Sequence, residues 1–288
     1  MMNPRILNPE FFIERLKSAN SIERLDLLKE LIESRDNYLL ESLLEEKIIN
    51  PSEKMNEGRN IIPIYLRTLQ KDNFEASYIL ASYGANLDES VYSKFEHTFG
   101  EGHMSLQHYT MIPLASRLRY MPKDVFILRD IFVESLKNGN AIPTTVDSFG
   151  MTPIAFLFSR MEFPENKENT NFVQVLIDII STYVHYGMNI NHKDKFGRSC
   201  LYYILTKYVN QPLFAEILEY LLSVGIDVQD SGIDDFYKDR FHPYNILDTL
   251  GLEKTGVLLA NARFDLQYVD PSTIRNQNIR NALLNQMS

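Results

Sequence analysis

Asp147-Ser-Phe-Gly-Met-Thr-Pro-Ile154 leads into an apolar helical run that ends at His185-Tyr-Gly-Met-Asn-Ile-Asn191. Asp194-Lys-Phe-Gly-Arg-Ser-Cys-Leu201 leads into another run, which ends at Val224-Gly-Ile-Asp-Val-Gln229. The stretch therefore holds one unit twice: turn, helix, helix, turn. In the second copy Leu201, Ile204, Leu205 and Tyr208 fall at i, i+3, i+4 and i+7. Phe214, Ile217, Leu218, Leu221 and Leu222 continue that pattern, so two short amphipathic helices are predicted, with the break at Pro212. Pro153 suits a first helical turn, where its missing N–H has no partner to lose. Gly187 and Gly225 stand just past the second helix, where a left-handed residue closes the end, so both are predicted to have positive φ. Gly150 and Gly197 complete an Asp-x-x-Gly turn before the first helix. A helix pair this short cannot bury its apolar faces alone, so its repetition predicts stacking.

These residues resemble the ankyrin repeat, which opens on Asp-x-x-Gly-x-Thr-Pro-Leu and closes on a Gly-Ala-Asp-Val-Asn-like phrase. Asp147 to Ile154 is the nearer match; Asp194 to Leu201 keeps the frame without Thr-Pro. Ala155 and Tyr202 occupy the place of the family's histidine, and the modules exceed the roughly 33 residues of a standard repeat. The resemblance implies an all-α, elongated α-solenoid of ankyrin-like helix pairs. It also implies a non-catalytic scaffold that binds a protein partner through its turn tips and first-helix face. Stretched repeats of this kind look like those of bacterial effectors or viral host-interaction proteins.

Weaker copies flank the pair. Pro63 is expected to open a helix, Phe74 to Tyr83 to form its partner, and Gly84-Ala85-Asn86-Leu87-Asp88 to end the unit. In the next copy Ile112-Pro113-Leu114-Ala115 opens, Val125 to Leu136 follows, and Asn138-Gly139-Asn140-Ala141-Ile142 closes. The glycines Gly84, Gly139, Gly187 and Gly225 are 55, 48 and 38 residues apart, so the early modules carry insertions, placed at Glu89 to Thr110 and at Met161 to Asn171. Arg263-Phe264-Asp265-Leu266-Gln267 repeats the closing phrase with arginine in the glycine's place, which predicts a distorted last unit. Pro243 opens that pair, and Ser272 to Gln286 forms a capping helix. Three helices are expected before Ile49. Phe12, Leu16 and Ala19 face inward on the first, Ile22, Leu25, Leu28, Leu31 and Ile32 on the second, and Leu39, Leu40, Leu43 and Leu44 on the third. Glu23, Arg24, Asp26, Lys29, Glu30 and Glu33 supply a polar outer face. Residues 1–50 are thus read as a helical cap and 51–288 as the repeat solenoid, with Asn50 to Asn60 a polar linker.

Bulk composition bounds the function. With 288 residues and 44% apolar composition the chain can bury a sizeable core. A net charge of -9 and a pI near 5.2 argue against nucleic acid and anionic membranes, which need clustered cations. Cys200 is the single cysteine, which excludes an internal disulfide and suits a reducing compartment. No signal-like segment starts the chain, and the apolar run Phe172 to Tyr186 is too short to span a bilayer. A soluble, monomeric, cytoplasmic protein without membrane insertion is expected, one that could also be delivered into a host cell.

No motif for phosphate, dinucleotide, nucleophile-elbow or zinc-protease chemistry occurs, so no catalytic residue and no cofactor is assigned. His97, His103 and His108 with Glu96 and Glu101 share the first insertion and could in principle ligate zinc, which defines the alternative of a metal-assisted enzyme site there. Asp227, Gln229, Ser231, Gly232 and Asp235 imitate a calcium loop, but its twelfth position is Lys238 rather than glutamate. The partner-binding candidates are the turn residues Asp147, Ser148 and Phe149, then Lys193, Lys195 and Phe196, then Asp234, Asp235, Phe236 and Tyr237. Phe149 and Phe196 hold equivalent places, which suits an interface anchor and inter-repeat packing equally.

Overall fold

Short polar side chains open several of the helices. Asn8 accepts from Phe11 N, Asn20 from Ile22 N and Glu23 N, Asp36 from Leu39 N, Asn73 from Ala76 N, Thr152 from Ala155 N, and Asn276 from Asn278 N and Ile279 N. Each such cap contributes about 1 kcal/mol by satisfying an amide that the helix cannot. The computed structural model of the chain describes residues 6, 8–58, 60–93, 102–120, 122–164, 170–229, 243–264, 266 and 269–288. These are mostly helical. They divide into two compact units, the first holding the described residues of 1–93, 103–114 and 123–142, the second those of 94–102, 115–122 and 143–288.

In the first unit α1 (Pro9–Ser18), α2 (Ser21–Ser34) and α3 (Asn37–Glu45) precede a hairpin of β1 (Lys54–Glu57) and β2 (Asn60–Pro63). The expected linker is therefore a strand. Met55 is fully buried, and Met55 pairs with Ile62 in the antiparallel register. Ile22 is 72% exposed, against expectation, and Leu27 takes the inward place. Arg24 does not decorate the outer face either. Its Nε and Nη2 donate to the two carboxylate oxygens of Glu53 at 2.8 and 2.7 Å, while Nη1 and Nη2 also reach Leu16 O and Ile48 O. A bidentate fork of this kind joins α1, α2 and the loop after α3.

Helices α4 (Ile64–Gln70) and α5 (Phe74–Ser82) follow, then β3 (Ser90–Ser93) paired with β4 (Gly102–Ser105), α6 (Leu106–Leu118) and α7 (Asp124–Lys137). Pro113 lies inside α6, which starts at Leu106 and not at the proline. The reason is local: Ser105 Oγ lies 2.8 Å from His108 Nδ1 across the helix start, and Leu106 N donates to Glu89 O. Gln107, His108 and Thr110 are fully buried, Thr110 Oγ1 at 2.8 Å from Tyr65 Oη, so part of the supposed insertion is core. Helices α5 and α7 pack together, and Leu87 N donates to Asn140 O between the ends of the two pairs.

The second unit holds α8 (Pro153–Arg160), α9 (Thr170–His185), α10 (Cys200–Tyr208), α11 (Phe214–Ser223), α12 (Pro243–Leu250), α13 (Glu253–Asn261) and α14 (Gln277–Met287). Phe172, Leu176, Ile179, Ile180 and Tyr183 form a fully buried stripe on α9; Phe214, Ile217, Leu218 and Leu221 do so on α11. Helix α8 packs on α10, α9 on α11, α11 on α13, and α13 on α14. First helices thus meet first helices and second helices meet second. On α14 Ile279 and Leu283 face inward, but Leu284 is 50% exposed.

Gly187 and Gly225 have φ of 103° and 86°, as the turn chemistry requires. Arg263 adopts φ 61° and closes α13 with the same two bonds, Arg263 N to Ala260 O and Phe264 N to Leu259 O, that Gly225 N to Leu222 O and Ile226 N to Leu221 O make after α11. The closure of α13 is thus regular; it carries the left-handed residue with a Cβ. Arg263→Gly is expected to raise stability in urea by about 1 kcal/mol, and Gly225→Val to lower it by at least about as much. An unchanged or lower midpoint for Arg263→Gly would show that its bond to Gln286 Oε1 outweighs the backbone strain.

Candidate partner-binding surface

Asp147 and Asp194 build one turn twice. Asp147 Oδ1 accepts from Phe149 N and Met151 N, both at 2.9 Å; Asp194 Oδ1 accepts from Phe196 N at 2.8 Å and Arg198 N at 3.0 Å. Gly150 N donates to Asp147 O and Gly197 N to Asp194 O, each at 3.0 Å, and both glycines lie in the left-handed region. A short carboxylate that bonds its own backbone two and four residues on is what fixes such a turn. The two tips are then joined. Lys195 N donates to Phe149 O at 2.9 Å, Lys195 Nζ reaches Ser148 O, and His192 Nε2 lies 2.9 Å from Gly150 O.

The joined tips expose Lys195 and Phe196, the latter at 58%, with Ser148, Phe149 and Lys193 partly exposed beside them. The Arg198 guanidinium lies 4.4 Å from the Phe196 ring centroid, a cation–π contact that holds the ring without burying it. Asp147 is turned inward, 8% exposed, so it holds the turn and offers no charge at the surface. Asp234, Asp235, Phe236 and Tyr237 lie outside the described residues, as do Ser231, Gly232 and Lys238.

Beneath the surface the two turns differ. Asp194 Oδ2 accepts from Arg198 Nε at 3.1 Å and from the Tyr203 hydroxyl, and its side chain is 1% exposed. Asp147 has Met151 and Phe156 in the places of Arg198 and Tyr203. Desolvation therefore pushes the Asp147 carboxyl above the ordinary carboxylate range, opposed by the Met151 and Phe149 amides and reinforced by the charge of Asp194. Burial, then the hydrogen bond to Asp194, raises the Tyr203 hydroxyl far above its ordinary value. An arginine four residues after a turn aspartate was the available sign of this network.

The alternative zinc cluster is only partly within the described residues, because Glu96, His97 and Glu101 lie outside them. His108 is fully buried against Ser105, and the His103 ring sits edge-on to Tyr92 at 5.4 Å. Among the described residues no group of three His, Cys, Asp or Glu could hold a metal, and no helix is long and apolar enough to cross a membrane. Cys200 donates to Ile190 O, and burial pushes its thiol up to about 12, so it stays protonated at neutral pH. No known protein family matches the chain, and no curated protein matches it either.

Proposed function

We propose that the chain is a non-catalytic protein-interaction scaffold, an ankyrin-like α-solenoid that docks a protein partner on its row of turn tips and the adjoining first helices. The observation that carries this reading is the backbone bond from Lys195 to Phe149, which merges two tips into one face presenting Phe196 beside the Arg198 guanidinium. The like-on-like packing of α8 on α10 and of α9 on α11 supports it, because that is how helix pairs bury the faces they cannot bury alone. So does the Ser105-Leu106-Gln107-His108 start of α6, whose hydroxyl and imidazole have the spacing of the ankyrin Thr-Pro-Leu-His. An aromatic ring ringed by polar groups is the usual centre of an interface hot spot.

Capture of partners from source-cell lysate, with the full chain as bait, tests the reading through variants. Phe196→Ala is expected to weaken the captured partner's affinity by about tenfold or more with nearly unchanged melting, since the ring is mostly in solvent. Lys195→Ala should slow association and flatten its salt dependence. If Phe196→Ala instead lowers stability and leaves affinity alone, the ring is a packing element and the tips are not the docking face.

A further inference from the structure

The register that joins the tips also aligns the far ends of the first helices. Arg160 follows Asp147, and Lys207 follows Asp194, by the same thirteen positions. Arg160 is the last residue of α8, Lys207 the last but one of α10, and these helices pack together. Lys207 Nζ donates to the carbonyl of Ser159, the residue before Arg160. The two cations are thus neighbours.

Neither has a carboxylate partner among the described residues. The nearby Glu162 is engaged with Arg119, Oε2 to Nη1 at 2.6 Å. The Arg160 guanidinium lies 4.8 Å from the Phe156 ring centroid, a contact that orients it and itself uses none of the guanidinium N–H donors. A cation at a helix C-terminus is favourable for that helix alone. Placing two of them together is not, and both are partly dehydrated. Desolvation first, then the charge of Arg160, lowers the Lys207 pKa, with Glu162 opposing; desolvation lowers that of Arg160. In a chain of net charge -9 this is, among the described residues, a local surplus of positive charge, and it is reachable, since Lys207 is exposed and Arg160 partly so.

We propose that Arg160 and Lys207 form an acidic-peptide subsite on the first-helix face, taking Asp or Glu side chains of the partner. The assignment rests on the scaffold reading above. Arg160 offers a planar edge suited to a bidentate carboxylate, and Lys207 a point charge for a second carboxylate along the same extended segment. Glu162, bound to Arg119, borders the subsite and works against an incoming acidic group.

Fluorescence anisotropy of labelled octaglutamate with the full-length chain provides the test, with octaglutamine and inorganic phosphate as comparison probes. Octaglutamate is expected to bind with an affinity that falls as salt rises, and Arg160→Gln with Lys207→Gln together to weaken it by about tenfold or more. Lys207→Arg should retain binding, Glu162→Gln should strengthen it, and Lys17→Gln, on α1, should leave it unchanged. Thermal unfolding of the double variant verifies that it is folded; if it is not, each single variant and Glu162→Gln decide by the same directions. Octaglutamine binding equally well, phosphate displacing the peptide at equal charge, or Lys17→Gln weakening it as much as the double variant would each overturn the subsite. Phe196→Ala separates this from the tip reading. Peptide affinity kept by Phe196→Ala but lost by the double variant sustains the subsite even where the tips prove not to bind, and the reverse pattern rejects the subsite alone.

Discussion

Asp194→Asn is expected to lower the unfolding free energy by about 3 kcal/mol, while Asp147→Asn leaves it near or above the wild-type value. The two aspartates make the same pair of backbone bonds, so loss of a turn cap alone would predict equal costs. The difference lies behind them. Removing Asp194 strands the Arg198 guanidinium, whose side chain is 17% exposed, and the buried Tyr203 hydroxyl without the carboxylate that both address. Removing the charge from Asp147 strands nothing, because Met151 and Phe156 stand in those places, and asparagine still accepts the two amide bonds.

A pH series separates the two further. The Asp147 pKa is raised in the folded state, so as pH climbs from about 3.9 toward the raised value the unfolded chain loses its proton first. The native state then binds more protons than the unfolded one, and stability falls with rising pH through that window. Asp147→Asn removes this fall, so its advantage over wild type should grow across the window and stay constant above it. Urea midpoints read both effects. Equal losses for Asp147→Asn and Asp194→Asn would show that Arg198 and Tyr203 contribute nothing through Asp194.

Phe172→Ala is expected to cost about 3 to 4 kcal/mol, within the range for a fully buried aromatic. Phe172 is fully buried at the start of α9 and stacks at 5.0 Å on Phe163, which in turn lies 4.6 Å from Tyr208 on α10. The Tyr208 hydroxyl donates to Met161 O, and Met161 is 1% exposed. Met161 to Phe163 are therefore held against α9 and α10 by tilted ring contacts and the Tyr208 hydrogen bond. In a double-mutant cycle Phe163→Ala and Phe172→Ala should couple by about 1 kcal/mol. Strict additivity, or a cost for Phe172→Ala below about 1 kcal/mol, would mean that this segment is not packed against α9 and α10 in solution.

Where a structural choice depends on a few consecutive residues, the sequence determined it. Left-handed closure at Gly187 and Gly225, capping by Asn8 and Asp36, the breaks at Pro153 and Pro212, and the inward stripes of α9 to α11 all follow from backbone sterics and helical periodicity. The paired Asp-x-x-Gly turns were readable for the same reason, and with them the turn-tip places of Phe149, Lys193, Lys195 and Phe196.

Tertiary structure decided what depends on distant neighbours. Met55 and Met104 pull two apparently polar stretches into hairpins, and the bond from Leu106 N to Glu89 O, 17 positions back, holds the start of α6 ahead of its proline. Arg24 turns from the outer face to Glu53, a partner 29 positions away, and Asp147 turns inward although it read as a partner contact. The Phe163 stack makes core of a segment that read as a loop. No local rule specifies which remote group will meet a long or charged side chain; the desolvation it suffers, and the partner that offsets it, exist only once the helix pairs have packed. That is also why Arg160 and Lys207, ordinary helix-end cations in the sequence, become neighbours without a carboxylate partner among the described residues only when α8 lies against α10.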